Sequence, residues 1–477
     1  MKTERIIIVG AGLVGALFSV YLSKRGYTVD IFDTHPDIRR MPVRPGKAIN
    51  LTLCERGLRA LDRVGAGDMV RELAVPAYGR YIHPENGELV YQPYGNNQEA
   101  IYSILRRQLA EVFITFAERH PRINFHFNEK CVGLGLSPLG VEFLNTQTGA
   151  TSRHDADLVF GADGTYSSVR TLMQRMHRFN YSQEFLDQGF KELELPAGSG
   201  APWASEQNGL HMWPRGAFML IGFPNADGSF TCALNMPFEG EPSFDSLTTP
   251  QKVEEFFAEV FPDVAPYIPH LGESFFLHPP NPMVTVRCSP WTFQGKVALI
   301  GDAAHVLFPY YGQGANAGFE DCSVLVDCLD RHGEDWPAVF ADYERSRKPN
   351  MDAISQMVSH HYAEIRDQLA DPRFLLLKAV ERKVNQMYPD DYQPLYSMIT
   401  FTTMPYAEAL RIDREQRELM DKLMRIEGLE RKLESRETEA TIRRLMGEFI
   451  AARERTAPAP SVAPAAFGGS YQYSPEY

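Results

Sequence analysis

Near the start of the chain, Gly10-x-Gly12-x-x-Gly15 follows a short apolar run, Arg5-Ile6-Ile7-Ile8-Val9, and leads into a helical stretch from Ala16 to Arg25 that ends at Gly26. Glycines at this spacing let the backbone turn tightly, approach a pyrophosphate and pack helix against strand, while the helix N-terminus draws the anion. Val14, inside the same turn, is a further candidate for nucleotide contact. A second strand, Tyr27 to Phe32, ends at Asp33. That acid lies about 20 residues past the first glycine, where it can accept hydrogen bonds from a ribose diol. The residues point to a dinucleotide.

A second glycine-rich segment narrows the choice. Val297-Ala298-Leu299-Ile300 runs into Gly301-Asp302-Ala303-Ala304-His305, then Pro309, then Gly312-Gln313-Gly314-Ala315-Asn316, ending with Glu320-Asp321. An aspartate at a strand end can hold a ribityl hydroxyl. A glycine turn entering a helix can present amides to flavin pyrimidine carbonyls, where negative charge collects on reduction. A third strand, Ala156 to Phe160, runs into Gly161-Ala162-Asp163-Gly164, with Arg170 following.

These three motifs, in this order, resemble the group A FAD-dependent aromatic hydroxylases. Other segments resemble the kynurenine-hydroxylating branch of that family over about residues 5–412. They are Ala48-Ile49-Asn50-Leu51 with Glu55-Arg56-Gly57, Gly79-Arg80-x-x-His83, Gln92-Pro93-Tyr94-Gly95, Ser103-Ile104-x-Arg106, Leu210-His211-Met212-Trp213-Pro214, Gly312 to Asp321, and Tyr396-Ser397-Met398-x-Thr400-Phe401. The resemblance implies that Arg80, Tyr94 and Tyr396 hold the carboxylate of an amino-acid substrate and that Arg106 contacts the flavin. It further implies Gly10, Gly12, Val14, Gly15, Asp33, Asp163, Asp302, Gly314, Ala315 and Asn316 as FAD-binding positions. The side-chain chemistry agrees: a planar guanidinium suits a bidentate carboxylate, and two phenols add donors. Leu210, Met219, Ile221, Phe223, Pro309 and Tyr310 are candidates for an apolar pocket.

Three positions depart from the branch's pattern: His361 stands where it has Asn, Asn235 where it has Phe, and Ala315 where it has Met. The first two make the pocket more polar, so the expected substrate is L-kynurenine or a kynurenine carrying a further polar group. By resemblance, NADPH (or NADH) reduces FAD, O₂ gives a flavin C4a-hydroperoxide, and oxygen enters the ring ortho to the amine. No acid or base is assigned, because the aniline activates its own ring. Two alternatives stand beside this: a flavin hydroxylase for another aromatic or alkene substrate, and a non-enzymatic flavin-binding redox protein.

The elements that must position these residues are separated in sequence. The three strands predict a Rossmann-like α/β FAD-binding domain, discontinuous over 1–174 and 291–345, with 70–105 contributing to the substrate site. Alternating segments such as Ala217 to Phe223 and Ser229 to Leu234 predict an antiparallel β-sheet substrate domain over 175–290. A helical region over 346–455 and a disordered Pro, Ala, Gly, Ser and Tyr tail over 456–477 complete the expected organisation. The uncharged stretch Ile6 to Ser23 is read as strand, turn and helix, not as a membrane span or signal peptide.

The 477 residues include 48 basic and 61 acidic side chains, a net charge of −13, which leaves no electrostatic footprint for nucleic acid or an anionic membrane. Six scattered cysteines (Cys54, Cys131, Cys232, Cys288, Cys322, Cys328) form no CxxC pair, which argues against a disulfide framework and against a metal site. A soluble cytoplasmic protein, monomeric or homodimeric, is expected.

Overall fold

A computed structural model describes residues 4–42, 49–85, 87–95, 99–175, 178–368 and 371–456, with the side chains of 360–368 and 454–456 left outside that description. The tail expected at 456–477 therefore lies outside the described residues from 457 onward, as does Ala48. The chain forms two compact units: Met1–Leu375 with Pro394–Asp413, and Leu376–Gln393 with Arg414–Tyr477.

In the first unit, Arg5–Val9 is buried at all but its first residue, the condition of a parallel strand with helices on both faces. It pairs in parallel with Thr28–Asp33 on one side and Leu158–Gly161 on the other. Ile123–Phe127 and Val297–Leu299 extend the sheet in parallel, and the antiparallel strand Thr292–Phe293 forms one edge. Val9, Gly161 and Leu299 all finish at the same end of this sheet. The three motifs read from the sequence are the turns that follow them, at the carboxyl edge where open α/β sheets bind ligands.

The second sheet has eight strands, in the order His305–Val306, Asn281–Ser289, Asn180–Leu195, Phe230–Pro237, Phe218–Pro224, Leu210–Arg215, Gly79–Ile82 and Val90–Pro93. It is not wholly antiparallel. Leu210–Met212 runs parallel to Arg80–Ile82, because Gly79–Ile82 arrives from the nucleotide-binding part of the chain. Trp203, Trp213, Phe230, Leu234, Phe257 and Phe261 form a core beside this sheet, joined by the helix Pro250–Val260, whose Thr249 hydroxyl caps its first turn.

The second unit is helical around Val380, Val384, Leu419, Leu423, Ile442 and Met446, and Lys383 bridges Glu434 and Glu439 at 2.6 and 2.9 Å. Among the described residues no helix is long and apolar enough to cross a membrane, and no His, Cys, Asp or Glu cluster could hold a metal ion.

Candidate active site

At the first turn, Gly10 has φ +107°, and a side chain there would sit 2.8 Å from the Asp163 Cα. A Cβ on Gly15 would strike the Gly10 carbonyl. The two glycines are thus forced by close packing of helix, strand and neighbouring turn. Gly12 differs: a Cβ there would meet nothing within 4 Å. It is the N-cap of the helix Leu13–Ser23 and offers no capping side chain, so the first-turn N–H groups face open space suited to a pyrophosphate. Asp33 accepts from the N–H of Ala11 and of His35, both at 2.8 Å, which sets its half-buried carboxylate at the end of the second strand.

The other two turns are tied to each other. The Asp163 carboxylate accepts from Ser168 N at 2.6 Å and Val169 N at 3.1 Å, capping the helix Ser168–Met173. Buried Arg170 donates to the Ala303 carbonyl at 2.9 Å and to the Thr165 carbonyl. Gly301, at φ +62°, would place a Cβ 2.9 Å from Val14 Cγ2, and one on Gly318 would lie 2.7 Å from the same methyl. Val14 is therefore a packing contact between the glycine turns. Asp302 is half-buried, and its carboxylate makes no hydrogen bond among the described residues, although its carbonyl accepts from Arg170 at 3.4 Å; burial raises its carboxyl, against the attraction of Arg106, at the exposed start of the helix Arg106–Glu118.

The helix Gly314–His332 begins without a side-chain cap, and a Cβ on Gly314 would again meet open space. Its first amides, on Gly314, Ala315 and Asn316, precede the helical bond from Ala317 N to Gln313 O. The Asn316 side chain points inward, donating to the Thr52 and Gly312 carbonyls at 2.9 and 2.7 Å and accepting from Cys54 N at 3.0 Å. Open glycines at two helix N-termini and an unpaired Asp302 between them fit the pyrophosphate, pyrimidine and ribityl parts of FAD.

Beside this cradle lies a cavity lined by Arg80, Tyr94, Tyr396, Leu210, Met219, Ile221, Phe223, Asn235, Pro309 and Tyr310. Every pocket position named from the sequence whose side chain is described lies on this one cavity. His361 lies on the helix Trp336–Gln368, and its side chain falls outside the described residues. Arg80 Nε reaches the Tyr94 hydroxyl at 3.4 Å, and its guanidinium lies 4.7 Å from the Tyr396 ring and 5.3 Å from that of Tyr94. The two rings are stacked with centroids 5.4 Å apart. Burial pushes the Tyr94 phenol up, so it stays a neutral donor. No carboxylate pairs with Arg80 among the described residues, so the cavity offers a cation that lacks an anion.

The same cavity holds residues the sequence did not suggest: Asn50, Thr52, Phe190, Glu192, Met212, Thr231 and Tyr311. Asn50 and Thr52 stand in or beside a motif segment that could have flagged them. Glu192 lies in Lys191-Glu192-Leu193-Glu194, which reads as solvent-facing.

The fold and the cradle define a flavoprotein of the FAD-binding α/β class. The FAD binding domain family matches residues 3–358. A kynurenine 3-monooxygenase from Flavobacterium psychrophilum is 46% identical over 445 residues, 93% of this chain and 99% of that protein. Another from Flavobacterium johnsoniae is 45% identical over 447 residues, 94% of this chain and all of its own length. A solved tetrameric form of 2-methyl-3-hydroxypyridine-5-carboxylic acid oxygenase shares the fold, with a TM-score of 0.63 at 21% identity over 78% of this chain and 95% of that one. The chain belongs to the FAD binding domain family and, within it, to the kynurenine 3-monooxygenases.

Proposed function

We propose that the protein hydroxylates L-kynurenine ortho to its aromatic amine, consuming NADPH (or NADH) and O₂ and yielding 3-hydroxykynurenine. The observation that carries this reading is the Arg80 cation, with which no carboxylate pairs among the described residues, flanked by two phenols in a cavity beside the FAD cradle. FAD, when bound and reduced, would activate O₂ so that one of its oxygen atoms is delivered to the ring.

The chain's residues orient and enclose. Arg80 takes the substrate carboxylate in a bidentate grip, and Tyr94 and Tyr396 add O–H donors. Leu210, Met212 and Met219, each under a tenth exposed, wall the ring and keep out the water that would divert oxygen to H₂O₂. The Gly314 to Asn316 amides offer positive potential where the flavin gains negative charge. Asp302 holds a ribityl hydroxyl, Asp33 a ribose diol, and Arg106 sits against the flavin edge. No side chain need abstract a proton to start the attack, since the ring amine supplies the electron density. We further place the protein in the cytoplasm as a soluble monomer or homodimer, in keeping with six buried free thiols.

The test is NADPH oxidation by purified holoenzyme with L-kynurenine, with product and H₂O₂ measured together. Stoichiometric 3-hydroxykynurenine is expected. Oxidation that L-kynurenine does not stimulate would remove kynurenine as the substrate.

A further inference from the structure

Two histidines of the motif segments, His83 and His211, take no part in the substrate cavity. Arg80, Leu210 and Met212 line that cavity from two neighbouring strands. His211 and Trp213 alternate with Leu210 and Met212, so they stand on the opposite face of the sheet, where the His83 ring joins them. The two strands pair over three residues only, Arg80 to Ile82 against Leu210 to Met212. His83 lengthens this short ladder twice: its N–H donates to the Met212 carbonyl at 2.8 Å, and its Nε2 meets His211 Nδ1 at 2.9 Å. The side-chain bridge is buried, with His83 8% and His211 0% exposed.

The neighbours of the bridge fix its proton count. His211 Nε2 meets the Glu206 carbonyl at 3.0 Å, and His83 Nδ1 lies 3.2 Å from Asp263 Oδ2. A carbonyl and a carboxylate only accept, so both outer nitrogens need protons, and the inner contact between the rings needs one more. Two neutral rings supply two. Burial pushes His211 down to about 4, which leaves His83 to carry the third. The His83 ring stacks on Trp213 at 4.1 Å, a face that attracts cations, and Trp213 donates to Asp263 Oδ2 at 2.7 Å. Burial would raise the Asp263 carboxyl, but His83 and Trp213 hold it below the usual carboxylate range. A cavity of about 360 Å³, walled in part by His83, Glu206, Asp263 and Tyr267, brings solvent to the pair. The other titratable groups around it are Tyr81, which donates to Glu206 at 2.8 Å, Tyr91 against Tyr81, and Arg215, which donates to the His83 carbonyl at 2.8 Å with Glu85 nearby.

We propose that His83 and His211 share three ring protons, and that this buried cation, paired with Asp263, is a positioning device that holds the Arg80 strand in register for the substrate carboxylate. The proposal rests on the reading of Arg80 as the carboxylate grip and deepens it. When the third proton leaves, two lone pairs face each other across the inner contact and the bridge opens. Raising pH thus loosens the grip while the Arg80 guanidinium keeps its own charge.

The test has two arms, both on FAD-loaded enzyme. In the first, nitrogen-15 shifts of labelled histidine rings, assigned with His83→Asn and His211→Gln, count the protons at neutral pH. Three protonated nitrogens and one bare nitrogen are expected; two protonated nitrogens overturn the proposal. In the second, flavin absorbance gives Kd for L-kynurenine as pH is raised stepwise. Wild type should lose about threefold to tenfold in affinity as the bridge opens, the scale of one hydrogen bond. Asp263→Asn keeps an acceptor for Trp213 but removes the counter-charge, so the same loss should come about one pH unit or more lower. Its FAD content and its kcat at saturating substrate should stay near wild type.

An unmoved pH profile in Asp263→Asn overturns the positioning role. So does an equal loss of affinity at every pH, which would mark a structural role. Should Asp263→Asn not fold, the proton count in wild type decides. Three ring protons in an enzyme that does not bind L-kynurenine would sink the functional reading and leave the buried pair standing.

Discussion

Among the described residues the Arg80 guanidinium meets two aromatic faces and a phenol oxygen, and no acid. Its fork geometry cannot be reproduced by an ammonium. Arg80→Lys should therefore raise KM for L-kynurenine by about 10–100-fold, the loss of one charged bidentate contact, with FAD content unchanged; steady-state kinetics beside the flavin-to-protein absorbance ratio check both. His211 lies on the strand that carries Leu210 and Met212, and it is fully buried. Its ring nitrogens meet His83 Nε2 at 2.9 Å and the Glu206 carbonyl at 3.0 Å, and Asp263 stands behind His83 at 3.2 Å. Burial pushes the His211 pKa down to about 4. The folded state thus binds this proton less readily than the unfolded chain, with its ordinary value of about 6.5. The stability that neutral His211 provides is present above about 6.5 and is lost as pH falls toward 4, by about 3 kcal/mol in all. Denaturant unfolding at stepped pH should show that loss in wild type and a shallower slope in His211→Gln.

Between the elements, a buried chain of charges joins the helix Gly314–His332 to its neighbours. Arg56 from the helix Glu55–Asp62 pairs with Glu320, and Arg347 from Trp336–Gln368 pairs with both Glu320 and Asp321. Asp321 in turn accepts from His305 at 2.7 Å and from Gly301 N at 3.1 Å, fixing the turn that carries Asp302. Burial would raise the Asp321 carboxyl, but His305 and Arg347 hold it below the usual carboxylate range. Asp321→Asn should leave a buried guanidinium short of charge at a cost of about 3–5 kcal/mol. Weaker FAD binding in fluorescence titration and a lower Tm are expected, and unaltered flavin affinity would show that the turn holds without the network. Little of this was legible from the chain. The glycine turns and strand-end acids were, because φ > 0 and close backbone approach demand particular residue types. Arg56, Arg347 and Glu192 were not: charged side chains read as solvent-facing until register and packing bury them. For Asp163 and Asn316 the resemblance implies cofactor positions, and what the chain alone did not convey is that their side chains also cap a helix and pin a loop.

For the whole molecule, the cradle is assembled from turns after Val9, Gly161 and Leu299, so FAD held there would bridge segments that only the folded chain brings together. A ligand that binds the native state alone stabilises it by about 4 kcal/mol at a thousandfold excess over Kd. Stripping FAD should therefore lower Tm, and titrating FAD back should raise it with the logarithm of free flavin; a Tm indifferent to flavin would place the cradle outside the cooperative fold. The charge of −13 gives the molecule no electrostatic attraction for polyanions. The two-layer plan was readable from three separated strands and an alternating insertion. The recruitment of Gly79–Ile82 and Val90–Pro93 into the second sheet was not, because pairing across more than a hundred residues leaves no local signature.

The same separation bears on how the protein is made. Leu158–Gly161 and Val297–Leu299 leave the ribosome long after Arg5–Val9. At about 5–20 residues per second, some 15–60 seconds pass before the third turn exists. For about the first half of that interval one flank of the opening strand has no partner, and afterwards the outer edge of Leu158–Gly161 stands open until Val297–Leu299 arrives, so the nascent chain has no completed flavin cradle. Holding that edge clear of other chains is a task for chaperones, and a scarcity of flavin in the cell would be felt first by newly made molecules.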